Sequence, residues 1–379
     1  VIFFYGSGEE LKINREWLLA AGSIVLTIAT SLLLLRWLAP QLLGIPVDLQ
    51  LVQTGKTIPP FYEGVFREQD YAGDSLILND PYTIIRFRPL LPENGGTGPH
   101  DVLGFRNTCV PNSADIITLG DSQTYGMGEP LRNNWPSQLA GYLQQAEPAV
   151  YSMAVGGWGA VQYLDMFPKA AKLGPKTVII AFYSGNDPLE SFSMAYGNDQ
   201  WASLRPDPDL RKSDAPKKGN LLDVENTWSV TFSDGIKAAF TPKGRLMAND
   251  NTQPAVQAGY DIMVEVVRRI TAMAVQYDIT PVFTVIPTRE LVYSRKVERE
   301  GLPAPETYQR LIRMEKENID ALAREIQAIP AARYVDLVEP LQTAALSDTA
   351  LYPRKWDGHP GQAGYRLIAG TLAATINGF

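Results

Sequence analysis

Over the C-terminal two thirds of the chain, short apolar runs alternate with stretches in which apolar residues recur every three or four positions. The runs Asp115–Leu119, Ala149–Ala154, Thr177–Phe182, Pro281–Ile286 and Arg333–Leu337 read as strands. Residues 178–182 (VIIAF) and 282–286 (VFTVI) are apolar almost without a break. That is the pattern of parallel strands covered on both faces. Helical periodicity fills the gaps at about residues 132–146, 159–173, 255–278, 305–328 and 361–376. In the third of these, Val256, Tyr260, Met263, Val267, Ile270 and Ala274 make one buried stripe. Strands alternating with helices imply βαβ units, and so a three-layer α/β/α sandwich around a central parallel sheet.

Three regions depart from this rhythm. Residues 188–253 are dense in Asp, Pro, Lys and Gly and read as an insertion over one end of the sheet. Residues 40–113 are rich in Pro and Gly, with an evident loop at 92–99 (PENGGTGP), and read as a stalk and irregular lead-in. Trp17–Leu35 is a run of nineteen uncharged residues. As a helix it would span roughly 28 Å, about the hydrocarbon thickness of a bilayer. Trp17 and Trp37 flank it where interfacial aromatics sit, and only Ser23, Thr27, Thr30 and Ser31 are polar within it. A retained transmembrane helix is expected. A cleaved signal would be shorter and would end on small residues, where this run ends in Arg36-Trp37-Leu38-Ala39-Pro40. Lys12 and Arg15 before the span, against Arg36 after it, place the N-terminal side in the cytoplasm and the rest of the chain in the periplasm or exterior. The expected organisation is an N-terminal flank and membrane helix over 1–39, the lead-in over 40–113, and a catalytic domain over 114–379. The chain opens on Val1, so the sequence is expected to continue upstream.

Composition narrows the chemistry. A net charge of −7 argues against a broad nucleic-acid surface. Cys109 is the only cysteine, which excludes an intrachain disulfide and a multi-thiolate metal site. His100 and His359 are the only histidines, so a His-rich zinc or di-iron centre is excluded as well. No metal or organic cofactor is expected.

Four segments place reactive groups at strand ends or just before a helix. Residues 114–126 (ADIITLGDSQTYG) run from a strand into Gly120-Asp121-Ser122, where Ser122 is either a nucleophile or a helix N-cap. Residues 151–163 (YSMAVGGWGAVQY) feed a glycine turn that brings backbone N–H groups close to a reacting oxygen, or is simply a tight turn. Residues 178–191 (VIIAFYSGNDPLES) end a buried strand in Gly185-Asn186-Asp187, whose amide can donate to an oxyanion or shape a turn. Residues 356–373 (WDGHPGQAGYRLIAGTLA) put Asp357 and His359 before a helix, as a base with its orienting carboxylate or as a solvated loop. His100 lies in the lead-in with no matching motif. The four together, in the order Ser, Gly, Asn, Asp-x-His, are far rarer by chance than any one alone.

Over roughly residues 101–379 the chain resembles the SGNH, or GDSL-like, hydrolases, a superfamily of lipases, esterases and acyltransferases with a flavodoxin-like fold. The resemblance implies Ser122 as nucleophile, His359 as base and Asp357 as its orienting carboxylate. It also implies an oxyanion hole made of the Ser122 N–H, Gly157 and Asn186. Two positions depart from the family pattern. Ser152 stands where the second block opens with Asn, and the acid lies two rather than three residues before His359, with Trp356 at the usual place. The Asp-x-His spacing, and residues 285–293 (VIPTRELVY), resemble the membrane-associated polysaccharide O-acetyltransferase branch. If Asp357 does not reach His359, a Ser–His dyad remains.

These readings point to an acyl-ester hydrolase or O-acyltransferase of the bacterial envelope, acting on carbohydrate or lipid esters. The alternative is a non-catalytic docking subunit of a membrane complex that keeps the fold. A flavodoxin-like nucleotide-binding domain is disfavoured because no phosphate-binding Gly-rich loop follows a strand in the required pattern.

Overall fold

A computed structural model describes residues 76–80, 83–143, 150–216, 227–353 and 358–376, together with Ser23, Thr27, Thr30 and Ser31. The Trp17–Leu35 run lies outside the described residues except for those last four, which are helical. Thr27 Oγ1 donates to the Ser23 carbonyl at 2.8 Å, and Thr30 Oγ1 to the Thr27 carbonyl at 3.0 Å. Among the described residues no helix is long and apolar enough to cross a membrane.

From residue 76 the chain forms a hairpin, β1 (Ile77–Asp80) and β2 (Ile84–Phe87). Next come β3 (Ile116–Gly120), α1 (Ser122–Tyr125), α2 (Trp135–Tyr142), β4 (Val150–Ala154), α3 (Ala160–Ala171) and β5 (Thr177–Tyr183). Within the expected insertion lie α4 (Asp187–Gly197), a second hairpin of β6 (Trp228–Thr231) and β7 (Lys237–Phe240), and α5 (Pro242–Leu246). The chain continues through α6 (Pro254–Tyr277), β8 (Thr280–Ile286), α7 (Arg289–Val292), α8 (Ser294–Arg299) and α9 (Glu306–Ala328). It ends with β9 (Arg333–Val335), α10 (Val338–Ala345) and α11 (Gln362–Ile376).

The five strands expected from the hydropathy pattern form one parallel sheet in the order β4-β3-β5-β8-β9. Side chains alternate across it. Ile179, Ala181 and Tyr183 of β5 and Val282 and Ile286 of β8 join Trp135 and Leu139 of α2 and Tyr365, Ile368 and Leu372 of α11 in one core. Their neighbours Ile180, Phe182 and Phe283 are equally buried, and α3 and α6 pack together on that side. Burial on both faces is why these strands read as continuous apolar runs.

The order of strands fixes where chemistry can occur. The chain steps from β3 to β4 on one side, then returns to β5 on the other, so strand order reverses at β3. In open parallel sheets a crevice opens at such a reversal, at the carboxyl ends of the strands. Gly120 is level with Ala154 on one side and Ala181 on the other. The loops leaving β3, β4 and β5 therefore meet at one edge of the sheet.

The lead-in from residue 76 belongs to the same compact unit as the sheet. The Asn107 side chain accepts from Ser152 N at 3.1 Å and donates to Ser152 O at 2.9 Å, satisfying the free edge of β4. Buried Asp101 accepts from Tyr151 OH at 2.8 Å and from Leu103 N at 2.8 Å. The Arg106 guanidinium donates to the carbonyls of Gly98, Tyr125, Gly126 and Glu129. His100, without a role in any motif, is buried with its ring nitrogens at Arg88 O (2.6 Å) and Tyr125 OH (2.7 Å). It is a structural histidine whose burial lowers its pKa to about 4.

The insertion is pinned to the sheet by buried polar groups. Asn249 donates to Ser184 O at 3.0 Å, and Thr241 N donates to Glu290 at 2.6 Å. Fully buried Glu315 of α9 bridges the ends of β5 and β8, accepting from Ser184 Oγ (2.6 Å), Thr288 N (2.7 Å) and Thr288 Oγ1 (2.6 Å). Burial pushes its carboxyl from 4.5 up to about 7. Because the folded pKa is the higher one, the stability tied to this proton is fully present below the unfolded value and is lost as pH rises through the folded value. Glu315→Gln removes the titration. Wild type should lose about 3 kcal/mol relative to that variant between about pH 4 and pH 8, measured by urea unfolding at each pH. A difference independent of pH would contradict a raised Glu315.

Candidate active site

Ser122 follows β3 directly and opens α1. Asp121 caps that helix, its side chain accepting from Gln123 N at 2.8 Å. Gly120 cannot carry a side chain, because a Cβ there would overlap Thr124 Oγ1 as α1 folds back over the strand end. The expected N-cap alternative for Ser122 therefore fails: the capping side chain is that of Asp121. Ser122 is left partly exposed at the sheet edge.

His359, just before α11, brings Nε2 to 2.8 Å from Ser122 Oγ, across 237 residues of sequence. With the ring proton on Nδ1, Nε2 accepts the serine proton, as a general base must. Asp357, expected on the other ring nitrogen, lies outside the described residues.

After β4, Trp158 N donates to Val155 O at 3.2 Å and closes a tight turn through Gly156 and Gly157. Gly157 has φ +83°, the left-handed region that glycine alone adopts without strain. The turn passes the nucleophile: a Cβ on Gly156 would stand 3.5 Å from Ser122 Cβ. The lead-in hairpin braces it, with Trp158 Nε1 donating to Ile85 O at 2.9 Å.

After β5, Asn186 precedes α4 and makes no capping bond with its side chain. Its amide instead lies against Asp121 and favours the ionised carboxylate there. An amide NH2 carries two donors, so one remains for the cleft. Asp121 itself was no candidate in the sequence. Buried, with a carboxylate oxygen 3.4 Å from Ser122 Oγ, it lies between nucleophile and Asn186. Burial pushes its pKa up to about 6. Asp187, next to Asn186, has its pKa raised well above the usual carboxylate range, by burial and then by the charge of Asp121, and accepts from Tyr163 OH at 3.0 Å.

Ser122, Asn186 and His359 line one cleft of about 150 Å³, closed on the other side by Leu189, Arg245 and Met247. Residues 118–367 match the GDSL-like Lipase/Acylhydrolase family. The chain belongs to that family. As a GDSL-like acylhydrolase it places its serine and histidine from opposite ends of the match in contact. Ser152, the departure in the second block, has both backbone groups held by Asn107, while its hydroxyl has no hydrogen-bond partner among the described residues.

No curated protein matches this acylhydrolase. Solved structures similar to it include a GDSL-like lipase from Bacteroides thetaiotaomicron VPI-5482, 12% identical, covering 69% of this chain and 87% of that one, with a TM-score of 0.36. A catalytic mutant of an acetylxylan esterase from Geobacillus stearothermophilus is 12% identical over 70% of this chain and 95% of that one, with a TM-score of 0.39. The psychrotrophic esterase from Pseudoalteromonas sp. is 11% identical over 71% and 98%, with a TM-score of 0.33. Membership in the family rests on the sequence match.

Tyr183 and Arg245 line the same cleft and are not among the residues expected from the sequence. Tyr183 reads as strand core, and Arg245 comes from the insertion, 123 residues after the nucleophile by number. Neither carries a motif.

Proposed function

We propose that this acylhydrolase is a serine esterase or O-acyltransferase of the bacterial envelope, acting on carbohydrate or lipid esters. Ser122 Oγ attacks the ester carbonyl while His359 Nε2 takes its proton, and the Ser122 N–H, the Gly157 N–H and the Asn186 amide hold the oxyanion. Collapse expels the alcohol, which takes the proton from His359 and leaves an acyl-serine. Water or a sugar hydroxyl, deprotonated by His359, then receives the acyl group and frees Ser122. Asp357 is proposed to orient His359. The 2.8 Å contact between His359 Nε2 and Ser122 Oγ carries this reading.

The cleft, about 150 Å³, is the size of an engineered cavity that takes up benzene, room for a short acyl group. Purified protein should therefore turn over an acetyl ester such as 4-nitrophenyl acetate, with Ser122→Ala at the uncatalysed rate. Equal rates for the two proteins would leave the docking-subunit reading.

The anchor and orientation are proposed on the Trp17–Leu35 run and the charges around it. In a Cys109→Ser background, a cysteine at exposed Asn94 should react with an impermeant maleimide in intact cells. Reaction only after lysis would put residues 40–379 in the cytoplasm.

A further inference from the structure

The turn that presents Asn186 is held from behind by a residue of the insertion. Ser184 opens that turn, and each of its polar groups has a partner. Its N–H donates to Ile286 O at 3.2 Å, its Oγ donates to Glu315 at 2.6 Å, and its carbonyl accepts from Asn249 Nδ2 at 3.0 Å. The chain beyond Ser184 has little room. Gly185 is pressed against the Tyr183 ring, where a Cβ would stand 2.4 Å from a ring carbon. Asn186 N reaches Tyr183 O only at 3.4 Å, too long to hold the turn by itself. The peptide unit joining Ser184 to Gly185 therefore sets where Asn186 stands.

Asn249 grips that peptide unit and is itself gripped. It is fully buried, and its side chain uses every group it has. The second amide hydrogen goes to Arg245 O at 3.1 Å, and Oδ1 accepts from Tyr260 OH of α6 at 2.9 Å. Two carbonyl oxygens on one side identify that end of the amide as the nitrogen. Its own carbonyl accepts from Asn318 Nδ2 at 2.9 Å. Asn318 lies one turn along α9 from Glu315, so a single helix face holds Ser184 directly and holds Asn249 against it. Asp at position 249 would set a carboxylate against two carbonyl oxygens. An apolar residue there would leave Ser184 O, Arg245 O and Tyr260 OH without this partner.

We propose that Asn249 is a positioning residue for acyl transfer, holding the Ser184–Asn186 turn so that the Asn186 amide meets the oxyanion. The insertion then does more than cover one end of the sheet: it supports the oxyanion site through a side chain that does not line the cleft. Tyr260 acts one bond further out, by fixing the Asn249 amide. This role rests on the acyl-ester reading of Ser122 and Asn186, and its test has one arm that needs no turnover.

The first arm is a double-mutant cycle on kcat for 4-nitrophenyl acetate. Asn249→Ala should lower kcat by about ten- to a hundredfold, the scale of a small misplacement of a catalytic group. Tyr260→Phe removes one hydroxyl and should lower kcat about fivefold, the scale of one neutral hydrogen bond. It is the variant to read if Asn249→Ala does not fold. KM should change little in either, because the oxyanion contact matures only in the transition state. In an Asn186→Ala background neither substitution should lower kcat further, since the donor they position is already gone. A merely structural role lowers activity by the same factor in both backgrounds, and that additivity overturns the proposal. The second arm compares hydrogen exchange in wild type and Tyr260→Phe. Severalfold faster exchange confined to residues 184–187, with β8 unchanged, supports the positioning role even if no ester is turned over, in which case the hydrolase reading alone falls. Unchanged exchange in that turn overturns the role even if turnover is normal.

Discussion

Asn186→Ala should lower kcat by about 10²–10³-fold, equivalent to roughly 3–4 kcal/mol of transition-state stabilisation, the usual effect of removing one oxyanion donor. Two features make this a loss of rate rather than of fold. The side chain of Asn186 makes no capping bond to α4, so its removal leaves the helix start as it was. Its one side-chain interaction among the described residues is with Asp121, and a hydrogen bond to a charged group contributes about 1.5–3 kcal/mol net to stability. The expected catalytic loss is larger than that and appears in kcat of the folded fraction. KM should change little, because the bond to the carbonyl oxygen strengthens only as charge develops there. The measurement is kcat, KM and melting temperature on one preparation. A variant that melts early yet keeps near-normal turnover when folded would make Asn186 a turn former, and would weaken the oxyanion role of Gly157 with it.

Much of the scaffold was legible because its burial is two-sided. Strands covered by helices on both faces must be apolar along their whole length, and β5 and β8 are readable at sight for that reason. The positions of Ser122, Gly157, Asn186 and His359 follow from the same pattern, since each stands at a strand end or ahead of a helix. That these ends converge depends on strand order, which local periodicity does not encode. The lead-in was less legible. Its hairpin strands have four residues each, too few to show alternation, and Asp101, Arg106 and Asn107 look like loop residues. They are ordered by tertiary partners, whose carbonyls and hydroxyls satisfy them inside the fold. Asp121 shows the same limit at the site. It belongs to the motif, but its hold on Asn186 appears only when β3 and β5 lie side by side.

Reactivity at Ser122 tests the account most directly. A serine whose proton is accepted by a histidine at 2.8 Å should be the most nucleophilic serine of the chain. A fluorophosphonate probe exploits this: the serine oxygen attacks phosphorus, fluoride leaves, and the adduct stays in place of the acyl group. Folded wild type should be labelled on Ser122 within minutes, the peptide containing it should carry the probe by mass spectrometry, and Ser122→Ala should remain unlabelled. Folded wild type that resists the probe, or labelling that persists undiminished in Ser122→Ala, would contradict a serine-nucleophile enzyme.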